Sequence, residues 1–82
     1  MAYDDTIQRA FGMVLRRVRK EAERSQEDLA LESGLDRTFI SLLERGLRQP
    51  TLTSLFALAT SLQVEPHVLV RETEREFGST RS

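Results

Sequence analysis

The residues best suited to chemistry lie between Gln26 and Arg45, and the chemistry is recognition of a polar surface, not catalysis. At about 100° of turn per residue, a helix opening near Arg37 gathers Phe39, Ile40 and Leu43 on one side. Thr38, Ser41 and Arg45 fall on the opposite side, flanked by Arg37 and Leu42. An arginine fork can bond guanine through two parallel contacts, threonine and serine hydroxyls can bond several bases, and leucine carbons can touch a thymine methyl. A solvated helix face looks much the same, so the preceding turn decides between the two. Ala30 is small enough for a steep, close helix crossing, and Gly34 can take the positive φ of a tight exit. Leu29, Leu35, Ile40 and Leu43 supply a shared core for two short helices. Together they make a helix-turn-helix over about residues 26–45.

Nothing else in the chain assembles a reactive centre. The chain has no cysteine and a single histidine, His67, beside Pro66 at a helix start. Disulfides, thiolate metal sites and cysteine nucleophiles are therefore excluded, and no second histidine completes a metal set. Serines and aspartates are present, but without a catalytic constellation or a glycine-rich phosphate loop. No cofactor is expected, and the chain does not read as an enzyme.

The elements that must hold the recognition face are all helical. Ile7, Ala10, Phe11, Val14, Leu15 and Val18 recur at three- and four-residue steps, predicting an amphipathic helix from about Thr6 to Glu23. Ser25 with Asp28 makes a short capping box for the second helix, which Ser33-Gly34 stops. Asp36 reads as the N-cap of the third, which Gly46 ends. Pro50 keeps the residues before it out of a helix. Thr51 caps a fourth, with Leu52, Leu55, Phe56, Leu58, Ala59 and Leu62 as its apolar set. Glu65-Pro66 opens a fifth carrying Val68, Leu69 and Phe77, and residues 78–82 are expected to fray. With no strand signal, repeat or linker, residues 1–82 read as one all-α domain of five helices around one core.

Composition sets the outer bounds. The chain has 82 residues, 39% hydrophobic and 30% charged, with a formal net charge of −1. That describes one ordinary globular domain, too short for two cores. No apolar run approaches the roughly 20 residues of a membrane span, and the start, with Asp4 and Asp5, is no secretory signal, so a cytoplasmic location is expected. Near-neutral charge is unusual for a nucleic-acid binder, since phosphate contacts supply much of the affinity. Here the charges are segregated. Arg16, Arg17, Arg19, Lys20 and Arg24 crowd one stretch and Arg37, Arg45 and Arg48 follow, while much of the acid sits at Asp4, Asp5, Glu65, Glu72, Glu74 and Glu76.

The runs Gln26-Glu27-Asp28-Leu29-Ala30, Ser33-Gly34-Leu35, Arg37-Thr38-Phe39-Ile40-Ser41 and Leu43-Glu44-Arg45-Gly46 resemble the phage repressor and Cro-like (XRE) helix-turn-helix family. Pro50-Thr51-Leu52 through Leu62-Gln63-Val64 continues the likeness, which covers about Val14 to Leu69. Leu35 to Ser41 is also similar to controller proteins of restriction–modification systems, stand-alone domains of about this length. The resemblance implies a lambda-repressor-like fold and a transcriptional regulator that binds a palindromic operator in double-stranded DNA as a homodimer through its third helix. It implies base reading by Arg37, Thr38 and Ser41, with Leu42 against a methyl group. Phosphate contacts fall to Gln26, Arg45, Arg48, Gln49 and the amides near Thr51. Arg19 and Glu44 occupy positions of a structural ion pair, which makes Arg19 partly buried and not a DNA ligand.

One departure concerns Glu23-Arg24, where the family usually has glycine and then an apolar residue; the first helix should end differently or run slightly longer. Arg24 then points outward, towards phosphate or simply into water. Arg16 and Arg17 flank the apolar stripe of the first helix and carry the same two readings. Arg71, Glu72, Glu74, Arg75 and Glu76 alternate as a solvated helix face does. Val64, Val68, Leu69 and Phe77 exceed the needs of a small core and are read as the dimer interface. An antitoxin-like or adaptor protein, whose main partner is another protein, would share this fold. No effector-binding domain is visible, so no small-molecule effector is expected.

Overall fold

Local signals and tertiary packing agree on five helices in the computed structural model, which describes residues 3–81, with side chains described for 6–79. The side chains of Asp4 and Asp5, and Ser82 with its expected fraying, lie outside the described residues. In chain order the helices are α1 (Tyr3–Glu21), α2 (Gln26–Ser33), α3 (Arg37–Glu44), α4 (Leu52–Leu62) and α5 (Pro66–Arg81). α1 starts a turn before Thr6 and stops before Glu23. Its end is set by Glu23, which turns left-handed at φ 58°. That conformation costs an ordinary L-residue about 1–2 kcal/mol, and glycine avoids it at an entropic cost of about 0.5–1 kcal/mol. Glu23→Gly should therefore stabilise the fold by roughly 0.5–1 kcal/mol, read as a rise of a few degrees in thermal midpoint. An unchanged or lower midpoint would show that Glu23 is not strained.

The caps follow the chemistry of their residues. Ser25 accepts from the Asp28 backbone N–H at 2.9 Å, and Asp28 accepts from the Ser25 N–H at 3.1 Å, closing a capping box on α2. The bond from the Ser25 backbone, then that from its hydroxyl, holds the Asp28 carboxyl below the usual carboxylate range. Gly34 leaves α2 left-handed at φ 76° and donates its N–H to the Ala30 carbonyl. Asp36 sits at the start of α3 in extended conformation, but its side chain makes no capping bond. Thr51 does cap α4, accepting from the Ser54 N–H at 3.0 Å. α5 continues through Gly78 to Arg81, so the fraying expected from residue 78 onward is not seen as far as Arg81.

All five helices contribute to one core. Phe11, Val14 and Leu15 of α1, Leu29 of α2, Ile40 and Leu43 of α3, Leu55, Leu58, Ala59 and Leu62 of α4, and Leu69 of α5 are buried together. Two expectations need correction. Leu69 was expected at a subunit interface, yet it is 0% exposed within the single chain. Val64 also packs against this core, so the two serve folding first. Conversely, Leu52 and Phe56, counted in the apolar set of α4, remain 75% and 56% exposed. Helical period identifies the stripe but not its width. Here the stripe is wider than the core it covers.

Candidate nucleic-acid interface

The third helix owes its orientation to a close crossing with the first. A Cβ on Gly12 would lie 2.4 Å from the Leu43 carbonyl oxygen and 2.7 Å from that of Glu44. Only hydrogen in place of a side chain lets α1 approach the end of α3 this closely. Near the same crossing, Gln8 Nε2 donates to the Gly46 carbonyl at 3.1 Å, tying the start of α1 to the loop after α3.

A buried ion pair fixes the same end of α3 from further along α1. Arg19 donates from Nε to Glu44 Oε2 at 2.6 Å and from its NH2 nitrogen to Oε1 at 2.9 Å. Its NH1 nitrogen donates to the Arg24 carbonyl at 2.8 Å, holding the turn into α2. The two side chains are only 10% and 4% exposed. The hydrogen bond to Glu44 foremost raises the Arg19 pKa above the ordinary arginine range, against an opposing effect of burial. Glu44 Oε1 also accepts from Gln26 Nε2 at 3.0 Å. One carboxylate thus joins α1, the first residue of α2 and the end of α3. Nothing in sequence spacing signals the Gln26 bond.

Held by this frame, α3 turns a polar face outward. Arg37 and Thr38 are exposed, Ser41 and Leu42 half-buried, while Ile40 and Leu43 point into the core. Arg45, Arg48 and Gln49 are exposed around the loop that follows, and Gln26 is half-buried at the neighbouring start of α2. Thr51 is exposed as a residue, but its hydroxyl is engaged with Ser54: it caps the Ser54 N–H and donates to Ser54 Oγ at 3.0 Å. Any anion met at Thr51 would therefore be held by first-turn amides of α4 and not by that hydroxyl.

The remaining basic residues divide. Arg17 pairs with Glu72 at 3.0 Å and with Glu76 at 3.7 Å, so it ties α1 to α5. Arg24 pairs with Glu32 at 3.0 Å along α2. Arg16 and Lys20 are exposed on the outer side of α1. Glu72 and Glu76 are accordingly part of the α1–α5 packing and not a merely solvated face. No helix among the described residues is long and apolar enough to cross a membrane.

The comparisons with known proteins agree with this geometry. A family model described as Helix-turn-helix matches residues 15–69. The HTH-type transcriptional regulator y4dJ of Sinorhizobium fredii is 36% identical over 74 residues, covering 89% of this chain and 96% of the relative. The structure of the restriction–modification controller protein C.AhdI from Aeromonas hydrophila superposes with a TM-score of 0.74 at 44% identity, over 76% of this chain and 94% of that one. The controller protein C.Esp1396I, solved as a tetramer in complex with its natural 35 base-pair operator, superposes with a TM-score of 0.77 at 35% identity, over 87% and 93% of the two chains. With the family match spanning most of its length and relatives at this identity covering nearly all of it, the chain belongs to the helix-turn-helix family.

Proposed function

We propose that this protein is a cytoplasmic, sequence-specific transcriptional regulator that binds a palindromic operator as a homodimer, with α3 in the major groove. The observation that carries this reading is the outward face of α3, polar and open on a helix whose opposite face is locked into the core. Arg37 is the principal base reader, through a bidentate contact to guanine. Thr38 and Ser41 read neighbouring bases and Leu42 touches a methyl group. Gln26, Arg45, Arg48 and Gln49, with the amides beginning at Thr51, contact phosphates and set the register of α3 in the groove. The related controller protein C.Esp1396I is a tetramer in complex with its operator, which supports the same mode here. In this family the work is regulation through DNA and not catalysis.

Selection of duplexes from a randomised library at about 0.15 M salt tests this. A two-fold symmetric motif is expected, because two copies present α3 to half-sites about one helical turn apart. Arg37→Ala should bind that motif about 10- to 100-fold more weakly, the loss of 1–3 kcal/mol assigned to one bidentate contact. Its affinity for random DNA should change far less. No motif, or a motif that Arg37→Ala recovers unchanged, would overturn base reading by this face.

A further inference from the structure

Gln26, assigned above to a DNA phosphate, is already bonded to a buried group of the fold. Its Nε2 donates to Glu44 Oε1 at 3.0 Å, linking the first residue of α2 to the last of α3. The Glu44 side chain is only 4% exposed, and its two oxygens also accept from Arg19 at 2.6 and 2.9 Å. Arg19 is itself committed, since its remaining nitrogen donates to the Arg24 carbonyl. Holding α1 against α3 requires the ion pair alone. The bond from Gln26 is not needed for that crossing. A carboxylate near a DNA phosphate is otherwise unfavourable, because like charges repel. Here Arg19 neutralises it, so Glu44 presents to Gln26 a fixed acceptor more than a free charge.

We infer that Glu44 is a positioning residue for DNA binding, holding the Gln26 amide with its donor end fixed before the DNA arrives. The inference rests on the phosphate contact of Gln26 proposed above and names what makes that contact effective. The two ends of a glutamine amide are almost the same in shape and opposite in chemistry. A phosphate accepts hydrogen bonds and is repelled by the carbonyl end, so orientation decides whether Gln26 helps or hinders. An ionised carboxylate also only accepts. Facing Glu44, the amide must turn its nitrogen inward, and that nitrogen carries a second proton for a phosphate oxygen. Mobility matters too. Glutamine is among the side chains with the most rotamer freedom to lose on ordering. Glu44 imposes that loss during folding, so binding does not bear it again. Location agrees with both points. Gln26 is half-buried at the start of α2, where the first-turn amides of the helix favour an anion.

The test replaces the pair by apolar residues, Arg19→Met with Glu44→Leu, in the wild-type and Gln26→Ala backgrounds. A cation and an anion leave together, so the net charge facing DNA is unchanged and the salt dependence of binding should be too. Each variant is checked for helicity and used well below its thermal midpoint. Binding is measured on the two-fold symmetric duplex from the selection above and on a duplex of unrelated sequence, since a phosphate contact serves both. Gln26→Ala should bind each about tenfold more weakly, as expected for one lost hydrogen bond to a charged group. The paired replacement should bind about three- to tenfold more weakly, and in the Gln26→Ala background it should cost nothing further. An equal loss in both backgrounds, or none in either, would overturn the positioning role. Unchanged binding by Gln26→Ala would instead overturn the phosphate contact itself. A second measurement needs no substitution. In the DNA-free wild type the Gln26 side-chain amide should be nearly as ordered as rigid backbone, with an NMR order parameter near ~0.8, whereas that of the exposed Gln49 should fall below ~0.6. A Gln26 amide as mobile as that of Gln49 would overturn the inference even if the paired variant failed to fold.

Discussion

Gly12→Ala should lower the thermal midpoint by about 10–20 °C, although alanine is the better helix former. In an isolated helix the exchange gains about 1 kcal/mol. Here the added methyl would lie 2.4 Å from the Leu43 carbonyl oxygen and 2.7 Å from that of Glu44. Comfortable carbon–oxygen contacts begin near ~3.3 Å, so the helices must part by most of an ångström. Both obstacles are backbone, which no rotamer change can move aside. Overpacking of this kind costs about 1–3 kcal/mol and sometimes more, and separation of α1 from α3 would also lengthen the Arg19–Glu44 bonds. With two backbone oxygens in the way, a gross cost of about 3–4 kcal/mol less the ~1 kcal/mol gained leaves a net loss of about 2–3 kcal/mol, which at roughly 4–8 °C per kcal/mol for a domain of this size gives the expected shift. Circular dichroism melting measures it. A variant as stable as the wild type would mean that the α1–α3 crossing yields without cost.

The second large effect is expected at the ion pair. Glu44→Ala strands the Arg19 guanidinium, whose side chain is only 10% exposed, without its two charge-assisted bonds, and frees Gln26 from its acceptor. Removing one member of such a buried pair typically costs about 3–5 kcal/mol, a large part of the total stability of a small domain. Arg19→Ala should be similarly damaging, because it leaves the more deeply buried carboxylate without a counter-charge and with only its bond from Gln26. Replacing both residues by well-packed apolar ones should recover most of the loss, since the attraction of a buried pair barely exceeds its desolvation cost. Urea denaturation of the two single variants and the double variant reads all three. Arg19→Ala with unchanged stability but weakened DNA binding would show that Arg19 serves the ligand and not the fold. The pH dependence has a definite sign. A group whose pKa is raised on folding contributes fully below its ordinary range and loses that contribution only as pH climbs through the higher value. Arg19 is such a group, so its own titration should leave stability unchanged through acid and neutral pH and reduce it only in strong alkali.

These two sites divide what was legible in the sequence from what was not. The periodicity of Ala10, Phe11, Val14 and Leu15 located α1, the Ser25–Asp28 pair located the start of α2, and the wheel over residues 37–45 separated an inward Ile40 and Leu43 from an outward Arg37 and Thr38. Each of these is a local matter, decided within a turn or two by helical geometry and capping chemistry. The helix-turn-helix itself was legible for the same reason, since its turn and both short helices are contiguous. Gly12 carried no comparable signal. A glycine inside an apolar pattern shows its purpose only when the partner backbone is in place, and that partner is about thirty residues further along. Gln26 and Glu44 meet across 18 residues and share a carboxylate with Arg19, which no spacing rule connects. The same limit explains the two corrections in the core. Leu69, Leu52 and Phe56 look alike as apolar residues at helical spacing, and only the positions of the other helices decide that Leu69 is covered and the others are not. Helix boundaries, caps and the polar face of α3 belong to the sequence because they rest on contacts a few residues apart. Which apolar residues are buried, how closely α1 crosses α3 and what holds Gln26 belong to the tertiary structure, because they depend on surfaces brought together from distant parts of the chain.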